Sequence, residues 1–194
     1  MREKVLELKN LTMKFGGVTA LDSVDLDVYK GEICALIGPN GAGKTTVFNV
    51  ITGVYQATSG EIIFKGESIL GRKRHHITKF GLARTFQNVR LWGEMTALEN
   101  VITATDVHKR SGLLGALFGL PRMRREEKAD RQRAQELLDF MGIGHRADQL
   151  GKNLPYGDQR RLEIARAMGT NPQLLLLDEP AAGFNPAEKV ELAA

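Results

Sequence analysis

A short glycine-rich segment has the residue types and the spacing of a phosphate-binding loop. Residues 38–46 read GPNGAGKTT, and four of them fit the pattern G-x-x-x-x-G-K-[ST]: Gly38, Gly43, Lys44 and Thr45. Glycines let successive backbone N–H groups point into one concavity, and a helix that begins there adds the positive end of its dipole. Lys44 is expected to reach between the two terminal phosphates, and the Thr45 hydroxyl to complete a magnesium shell. The segment therefore predicts a nucleoside triphosphate site, with a plain turn as the alternative.

A second candidate site consists of two acidic residues at the end of an apolar run. Residues 174–177 are four leucines, and Asp178 and Glu179 follow them directly. The leucines predict a buried strand, and ligands of open α/β sheets bind at the carboxyl ends of the strands. Asp178 is then expected to hold the magnesium shell and Glu179 to orient or deprotonate the attacking water. The alternative is a core strand that runs into an exposed acidic turn.

The phosphate loop requires a strand before it and a helix after it. Residues 31–38, GEICALIG, form an apolar run that ends in glycine and predict a buried parallel strand. Residues 45–53, TTVFNVITG, predict the helix. The single cysteine, Cys34, falls inside the expected strand, so it is predicted to be a core residue in a reduced compartment.

The rest of the chain predicts strands early and helices later. Three segments alternate as strands do, and an antiparallel β region is expected from residues 5–15, 24–29 and 61–69. Helical periodicity replaces this pattern from about Thr96 and predicts helices over residues 98–107, 125–142 and 158–169. Residues 111–121, SGLLGALFGLP, are read as a mobile loop, a partner contact or a short packed helix.

Composition is typical of a globular α/β enzyme domain. The 194 residues are 42% hydrophobic and 26% charged, which suffices for a sizeable core and argues against disorder. No stretch resembles a signal peptide or is long enough to span a bilayer. The net charge is +4, but the basic clusters 72–76 and 122–133 lack interleaved aromatic residues, so nucleic acid is not expected as a partner.

Four segments together resemble the ATPase subunit of an ATP-binding cassette (ABC) transporter, and the resemblance covers nearly the whole chain. They are GPNGAGKTT, TFQNVRLWGEMTALENV, LPYGDQRRLEIARAM and LLLLDEPAAGFNP. The forms FGGVTAL, TFQNVRLWGEMT and AAGFNP, with a tyrosine in the signature, are similar to those of branched-chain amino-acid importers. This resemblance implies a P-loop NTPase, or RecA-like, core with an antiparallel β subdomain and an inserted helical subdomain.

The resemblance also implies a domain layout, partners and a location. Residues 1–194 would form one nucleotide-binding domain: residues 1–90 and 155–194 its β subdomain and core, residues 91–154 its helical subdomain. The expected partners are two membrane permease subunits, a second ATPase subunit in a homo- or heterodimer and, indirectly, a periplasmic or extracellular substrate-binding protein. The expected location is peripheral, on the cytoplasmic face of the inner (plasma) membrane, and the expected cofactors are ATP and Mg²⁺.

Carried over by position, the resemblance implies further site residues. Phe15 would stack on adenine with Val18 beside it, and Gln87 would sense the magnesium and the water. Residues 154–158, LPYGD, occupy the signature that contacts the triphosphate on the opposite subunit. The expected catalytic residues are Glu179, Lys44 and Gln87; the expected metal ligands are Thr45, Gln87 and Asp178. Nucleotide contacts are expected from Phe15, Val18, Gly38, Asn40, Gly41, Ala42, Gly43, Lys44, Thr45, Thr46, Tyr156, Gly157 and Asp158.

Three departures from the family pattern bear on turnover. Pro155 stands where the signature usually offers a serine hydroxyl, and proline has neither a hydroxyl nor a backbone N–H to donate. Asp158 replaces the usual glutamine, and we expect it to cap the helix that begins there. The family's switch histidine, about thirty residues after Glu179, is expected to be absent, as in a C-terminally truncated ABC ATPase; the four histidines, His75, His76, His108 and His145, all precede Glu179.

These departures leave two functions open. The first is an ATP-hydrolysing transport subunit that energises import of branched-chain amino acids. The second is a nucleotide-binding module without productive hydrolysis, in which case ATP binding survives better than turnover and dimerisation is weak. A cassette ATPase that acts on nucleic acid is disfavoured, because the inserted DNA-contacting domains or long coiled coils that it would need are not present.

Overall fold

The computed structural model of the chain describes residues 2–87, 89–105 and 121–180. The chain divides into two compact units, the first ending at Leu82 and the second beginning at Ala83. Within the described ranges, no helix combines the length and the apolar composition that crossing a bilayer requires. Two predicted segments lie outside the described ranges: most of SGLLGALFGLP, residues 111–120, and AAGFNP, residues 181–186.

The first unit is built on an antiparallel sheet in which strand β1 lies between β2 and β3. The strands are β1 (Lys4–Phe15), β2 (Val18–Tyr29), β3 (Ser59–Phe64) and β4 (Glu67–Ser68), in the order β2-β1-β3-β4. Each pairs antiparallel with its neighbour. Alternating apolar residues of β1 and β3 are buried, among them Leu6, Leu8, Ile62 and Phe64. The predicted antiparallel β region is therefore confirmed.

Two helices complete the first unit, α1 (Lys44–Ile51) and α2 (Arg74–Lys79). Helix α1 buries Val47, Val50 and Ile51, a spacing that presents one apolar face. The helix predicted after the phosphate loop is thus present. Its first residue is Lys44, and the left-handed Gly43 precedes it with a φ of 85°.

The second unit is mainly helical. Its helices are α3 (Ala97–Thr105), α4 (Pro121–Phe140) and α5 (Tyr156–Gly169), with short 3₁₀ helices at Gly144–Arg146 and Gly151–Asn153. The side chains of one apolar cluster come from all three helices, including Leu98, Val101, Leu138, Leu162 and Ala165. All three helices that the periodicity predicted are present. A two-stranded sheet of β5 (Leu82–Arg84) and β6 (Leu174–Leu176) accompanies them, so the leucine run also forms the strand expected of it.

The strand predicted over residues 31–38 is wrong. These residues have no regular secondary structure and are exposed, with Ile33 100% and Ile37 90% accessible. Cys34 is likewise exposed, so its prediction as a core residue is also wrong. An apolar run supplies strand propensity, but a strand also needs a neighbour that pairs with its backbone. No strand of the described residues pairs with this segment.

Candidate functional site

The phosphate loop is a tight turn stabilised by its own backbone. The Ala42 N–H donates to the Pro39 carbonyl at 3.2 Å. Gly41 and Gly43 have φ of 84° and 85°, a left-handed conformation that residues with a Cβ rarely adopt. A Cβ on Gly43 would lie 2.7 Å from the Ala20 carbonyl oxygen of β2. Glycine is therefore required at residue 43 both by the backbone conformation and by the close approach of β2.

Lys44 lies across this turn. Its Nζ donates to the carbonyl oxygens of Gly38 at 2.7 Å and Pro39 at 2.8 Å. An ammonium group has three N–H donors. The two described hydrogen bonds use two of them, so the third can donate to a ligand. The α1 N–H groups that follow have no intrahelical acceptor in the first turn, and together with the helix dipole they favour an anion. The turn, the lysine and the helix end have the chemistry that a phosphate chain requires.

Phe15 and Val18 lie on either side of the two-glycine turn that joins β1 to β2, where they face each other in the strand register. Their side chains are 42% and 68% exposed. The Phe15 ring meets the Tyr55 ring edge to face, with 5.1 Å between centroids. Tyr55 thus supports an aromatic surface that remains open for stacking, and sequence reasoning did not identify it.

The acidic pair at the end of β6 has two different environments. Asp178 is buried, its Oδ2 accepts from Arg84 Nη2 at 2.8 Å, and its N–H donates to Thr85 Oγ1 at 3.2 Å. Glu179 is exposed and has a φ of 50°. A non-glycine residue in this left-handed region stores about 1–3 kcal/mol of strain, and such residues cluster at functional sites. The sequence predicted different roles for these two carboxylates, but it did not predict that Arg84 pairs with Asp178.

The residues predicted to hold magnesium have suitable donor chemistry. Mg²⁺ prefers hard oxygen ligands, and Thr45, Gln87 and Asp178 offer a hydroxyl, an amide oxygen and a carboxylate. Arg84 contacts one oxygen of Asp178, and both side chains of this pair are 7% exposed. Among the described residues, no group of three or more histidine, cysteine or acidic side chains is gathered as a metal cluster. Thr45 lies in the first unit and Gln87 and Asp178 in the second, and each offers an oxygen of the hard type that Mg²⁺ prefers.

The signature residues begin helix α5. Tyr156 is its first residue and is 48% exposed, and Pro155 is the N-cap with a φ of −52°. The prediction that Asp158 caps the helix is wrong, because the helix begins two residues earlier and Asp158 is the third residue of its first turn. Its Oδ2 instead lies 2.6 Å from Arg146 Nε. This ion pair offsets the negative charge that Asp158 brings to the signature.

Gln87 belongs to a segment that is fixed by charges buried within the second unit. The Arg160 Nη2 donates to the Gln87 carbonyl at 2.6 Å, and its Nη1 donates to the Phe86 carbonyl at 2.5 Å. Glu163 Oε1 accepts from the backbone N–H groups of Phe86 and Arg90 at 3.3 and 3.4 Å. Sequence reasoning missed both residues, since charges on a helix usually indicate a solvated face.

Comparison with known proteins assigns the class. Residues 21–182 match the family model described as ABC transporter. The chain is 48% identical over 194 residues to the high-affinity branched-chain amino acid transport ATP-binding protein BraF of Pseudomonas aeruginosa, covering all of this chain and 76% of that one. It is 46% identical over 192 residues to LivG of Escherichia coli K12, a protein of the same description, covering 99% of this chain and 75% of that one.

Solved structures agree. The ADP conformation of MJ1267, an ATP-binding cassette of an ABC transporter, superposes with a TM-score of 0.79 at 32% identity, covering 97% of this chain and 74% of that one. The dimeric post-hydrolysis state of the ATP-binding cassette MJ0796, bound to ADP and Pi, gives 0.79 at 28% identity, with coverages of 96% and 79%. The chain belongs to the ABC transporter family and has the fold of its ATP-binding cassettes. The resemblance and the fold class drawn from the sequence are thus confirmed.

Proposed function

We propose that this chain is the ATP-binding and ATP-hydrolysing subunit of an ABC importer for branched-chain amino acids. The observation that carries the proposal is the phosphate loop, in which Gly43 is conformationally required and Lys44 is held over the turn that begins α1. Relatives that are 46–48% identical over essentially the whole chain are branched-chain amino acid transport ATP-binding proteins, and they support the substrate class.

In this proposal the site residues divide the work. Lys44, the loop backbone and the α1 N-terminus neutralise the phosphates, and Phe15 stacks on the base. Glu179 accepts a proton from the attacking water as a general base, while Gln87 orients that water. Thr45, Gln87 and Asp178 would hold Mg²⁺, which when bound neutralises the charge that develops on the transferred phosphoryl group. The signature residues Tyr156, Gly157 and Asp158 would meet the triphosphate of a second subunit.

The proposal extends to partners, location and domain layout. Two membrane permease subunits would receive the closing motion of two ATPase subunits, and the chain would lie peripherally on the cytoplasmic face of the membrane. Residues 91–154 would form the helical subdomain between the two parts of the nucleotide-binding core. The names of the relatives, which are ATP-binding proteins for transport, support a subunit that works with others.

A nucleotide-binding module without productive hydrolysis is the second candidate. The observation that favours it is Pro155, which occupies the N-cap of α5 and has no hydroxyl to offer a phosphate. This module would bind ATP and ADP as the first candidate does. Only the rate of phosphate release separates the two functions.

The experiment is nucleotide binding and phosphate release by the parental chain and by Glu179→Gln. In an ATPase, the variant keeps its affinity for Mg-ATP while turnover falls by about 10² or more, because the base is lost and the shape is kept. Glu127→Gln, an exposed carboxylate of α4, is the matched control and is expected to change neither. Binding without release in the parental chain would select the second candidate, and absence of binding would refute both.

A further inference from the structure

Helix α5 buries two opposite charges beside the apolar residues that it contributes to the core. Arg160 and Glu163 lie one turn apart, their side chains are 1% and 2% exposed, and Nη1 and Oε2 are 2.8 Å apart. The apolar face of α5 is already supplied by residues such as Leu162 and Ala165. Desolvating an ion pair offsets much of its Coulombic attraction, so a buried pair is weak evidence for a role in stability.

The remaining bonds of this pair converge on the backbone around Gln87. The planar guanidinium of Arg160 donates to two successive carbonyls, those of Phe86 and Gln87, at 2.5 and 2.6 Å. Glu163 Oε1 accepts from the N–H groups of Phe86 and Arg90. The pair therefore fixes the backbone immediately before and after the Gln87 side chain, and it does so with rigid fork geometry that a single point charge cannot reproduce.

The same segment is fixed again a few residues later. Asn100 of α3 is fully buried; its Oδ1 accepts from the Trp92 N–H, and its two Nδ2 hydrogens are shared among the carbonyls of Trp92, Met95 and Thr96. Gln87 thus begins a segment that is attached to α5 at one end and to α3 at the other. The Gln87 side chain itself is exposed, so the two anchors set the position of its backbone and leave its amide accessible.

We infer that Arg160 and Glu163, here named the α5 clamp, are positioning residues that fix the backbone of Gln87 and thereby set the position of its amide within the second unit. The inference rests on the proposed function in one respect, the role of Gln87 toward magnesium and water. Helix α5 begins with the signature residue Tyr156 one turn before Arg160. Helix α5 thus connects the signature to the Gln87 backbone through the two Arg160 hydrogen bonds.

The decisive variant removes both charges together. Arg160→Met alone leaves Glu163 buried without its cation and is expected to destabilise the fold. The double variant Arg160→Met/Glu163→Leu replaces the pair by apolar side chains of similar size, an exchange that is often neutral or stabilising for buried pairs. Its matched control is Arg131→Met/Glu127→Leu, which makes the same changes at two exposed positions of α4.

Two readouts separate positioning from stability. Amide hydrogen exchange over residues 86–90 is expected to become about tenfold faster or more in the double variant. Local opening of this segment then no longer requires the hydrogen bonds to Arg160 and Glu163 to break. The factor by which Mg²⁺ strengthens ATP binding is expected to fall about fivefold or more, because a hydrogen-bonded ligand group is no longer pre-placed. The urea midpoint is expected to remain close to that of the parental chain and of the control.

Parental exchange and a parental magnesium effect in a folded double variant would overturn the inference. If the double variant does not fold, Arg160→Lys decides, because lysine keeps the charge beside Glu163 but cannot bond both carbonyls. Intermediate exchange over residues 86–90 supports the α5 clamp, and parental exchange refutes it. A parental chain that binds no nucleotide would refute the proposed function instead, while the exchange measurement would still decide whether the clamp fixes the Gln87 backbone.

Discussion

The phosphate loop and the α5 clamp are held in place in opposite ways. The loop is an exposed turn whose main side-chain contact is Lys44 bonding two carbonyls of the loop itself. The clamp is fully buried and bonds a segment more than 70 residues away along the chain. The function of the loop can be recognised from consecutive residues, whereas the clamp fixes the backbone around Gln87 through contacts between residues that are distant in sequence. We therefore expect changes in the loop to reduce binding, and removal of one partner from a buried pair of the second unit to reduce stability.

The strongest test of this contrast is a second buried ion pair among the described residues of the second unit, Arg84 and Asp178. Arg84→Met leaves the Asp178 carboxylate buried without its partner, and we expect the free energy of unfolding to fall by about 3–5 kcal/mol. Urea unfolding followed by the fluorescence of Trp92, the only tryptophan, reports on this unit. The control is Lys152→Met, which breaks an exposed pair with Glu94 in the same unit and is expected to cost about 1 kcal/mol or less. Equal costs for the two variants would contradict the contrast.

The second test is made within the loop. Lys44→Ala removes the ammonium group, and we expect ATP affinity to fall about tenfold to a hundredfold, because hydrogen bonds to charged groups contribute about 1.5–3 kcal/mol. Stability should hardly change, since Lys44 bonds only carbonyls that water can reach. Lys79→Ala in α2 removes an equal charge elsewhere on the same unit. Unchanged affinity in the Lys44 variant would count against the phosphate loop, whatever the control shows.

Gly43→Ala sharpens the comparison because it affects both properties. The new Cβ would meet the Ala20 carbonyl, and the left-handed backbone disfavours any side chain, so we expect a loss of about 1–3 kcal/mol in stability. ATP affinity should fall as well, since the loop shifts. Gly66→Ala has a similar φ of 77° with no atom within 4 Å of its Cβ, so the difference between the two variants measures the clash with β2 alone. If the two lose equal stability, the approach of β2 has no effect.

The smallest effect is expected at the start of α3. Thr96 and Glu99 form a reciprocal cap, in which the Thr96 N–H donates to the Glu99 carboxylate at 2.8 Å and the Glu99 N–H donates to Thr96 Oγ1 at 3.2 Å. Thr96→Ala should cost about 1 kcal/mol in thermal or urea unfolding. A much larger loss would show that the cap also holds the segment after Gln87.

This cap also has a defined pH dependence. The Thr96 backbone N–H and, secondarily, its hydroxyl lower the pKa of Glu99. A lowered pKa in the folded state contributes stability above the ordinary glutamate value and loses it as the pH falls through the lowered value. Thr96→Ala keeps the backbone N–H and removes only the hydroxyl, so the part of the stability difference that comes from the hydroxyl's bond to the carboxylate should be present near neutrality and shrink in acid. A difference that grows in acid would refute the assignment.

Local patterns predicted most of the elements. Alternation along β1 and helical spacing along α5 are properties of the sequence alone, and both elements are present. Residues 31–38 failed because strand formation depends on a partner that no pattern within the segment specifies. The acidic pair at residues 178 and 179 could be located but not its environment, since Arg84 is 94 residues distant from Asp178.

The α5 clamp shows why the buried charged residues of the second unit could not be predicted from the sequence. Arg160 and Glu163 are charged residues on a helix that also contains Arg161 and Arg166, so the sequence favours a solvated face for all of them. The one available signal is position: Glu163 stands between Leu162 and Ile164, both of them buried. Burial of a charge depends on which backbone groups another segment presents, and such long-range pairing cannot be read from the helix.

The exposure of residues 31–38 has a practical consequence. Cys34 is the only cysteine of the chain and it is accessible, so a thiol-reactive fluorophore attaches at one defined site without any mutation. The dye would lie four residues before Gly38, close enough in sequence to respond when the loop closes on a ligand. The rate at which Cys34 is labelled measures the solvent accessibility of this segment. A change in the emission of the attached dye would report nucleotide binding.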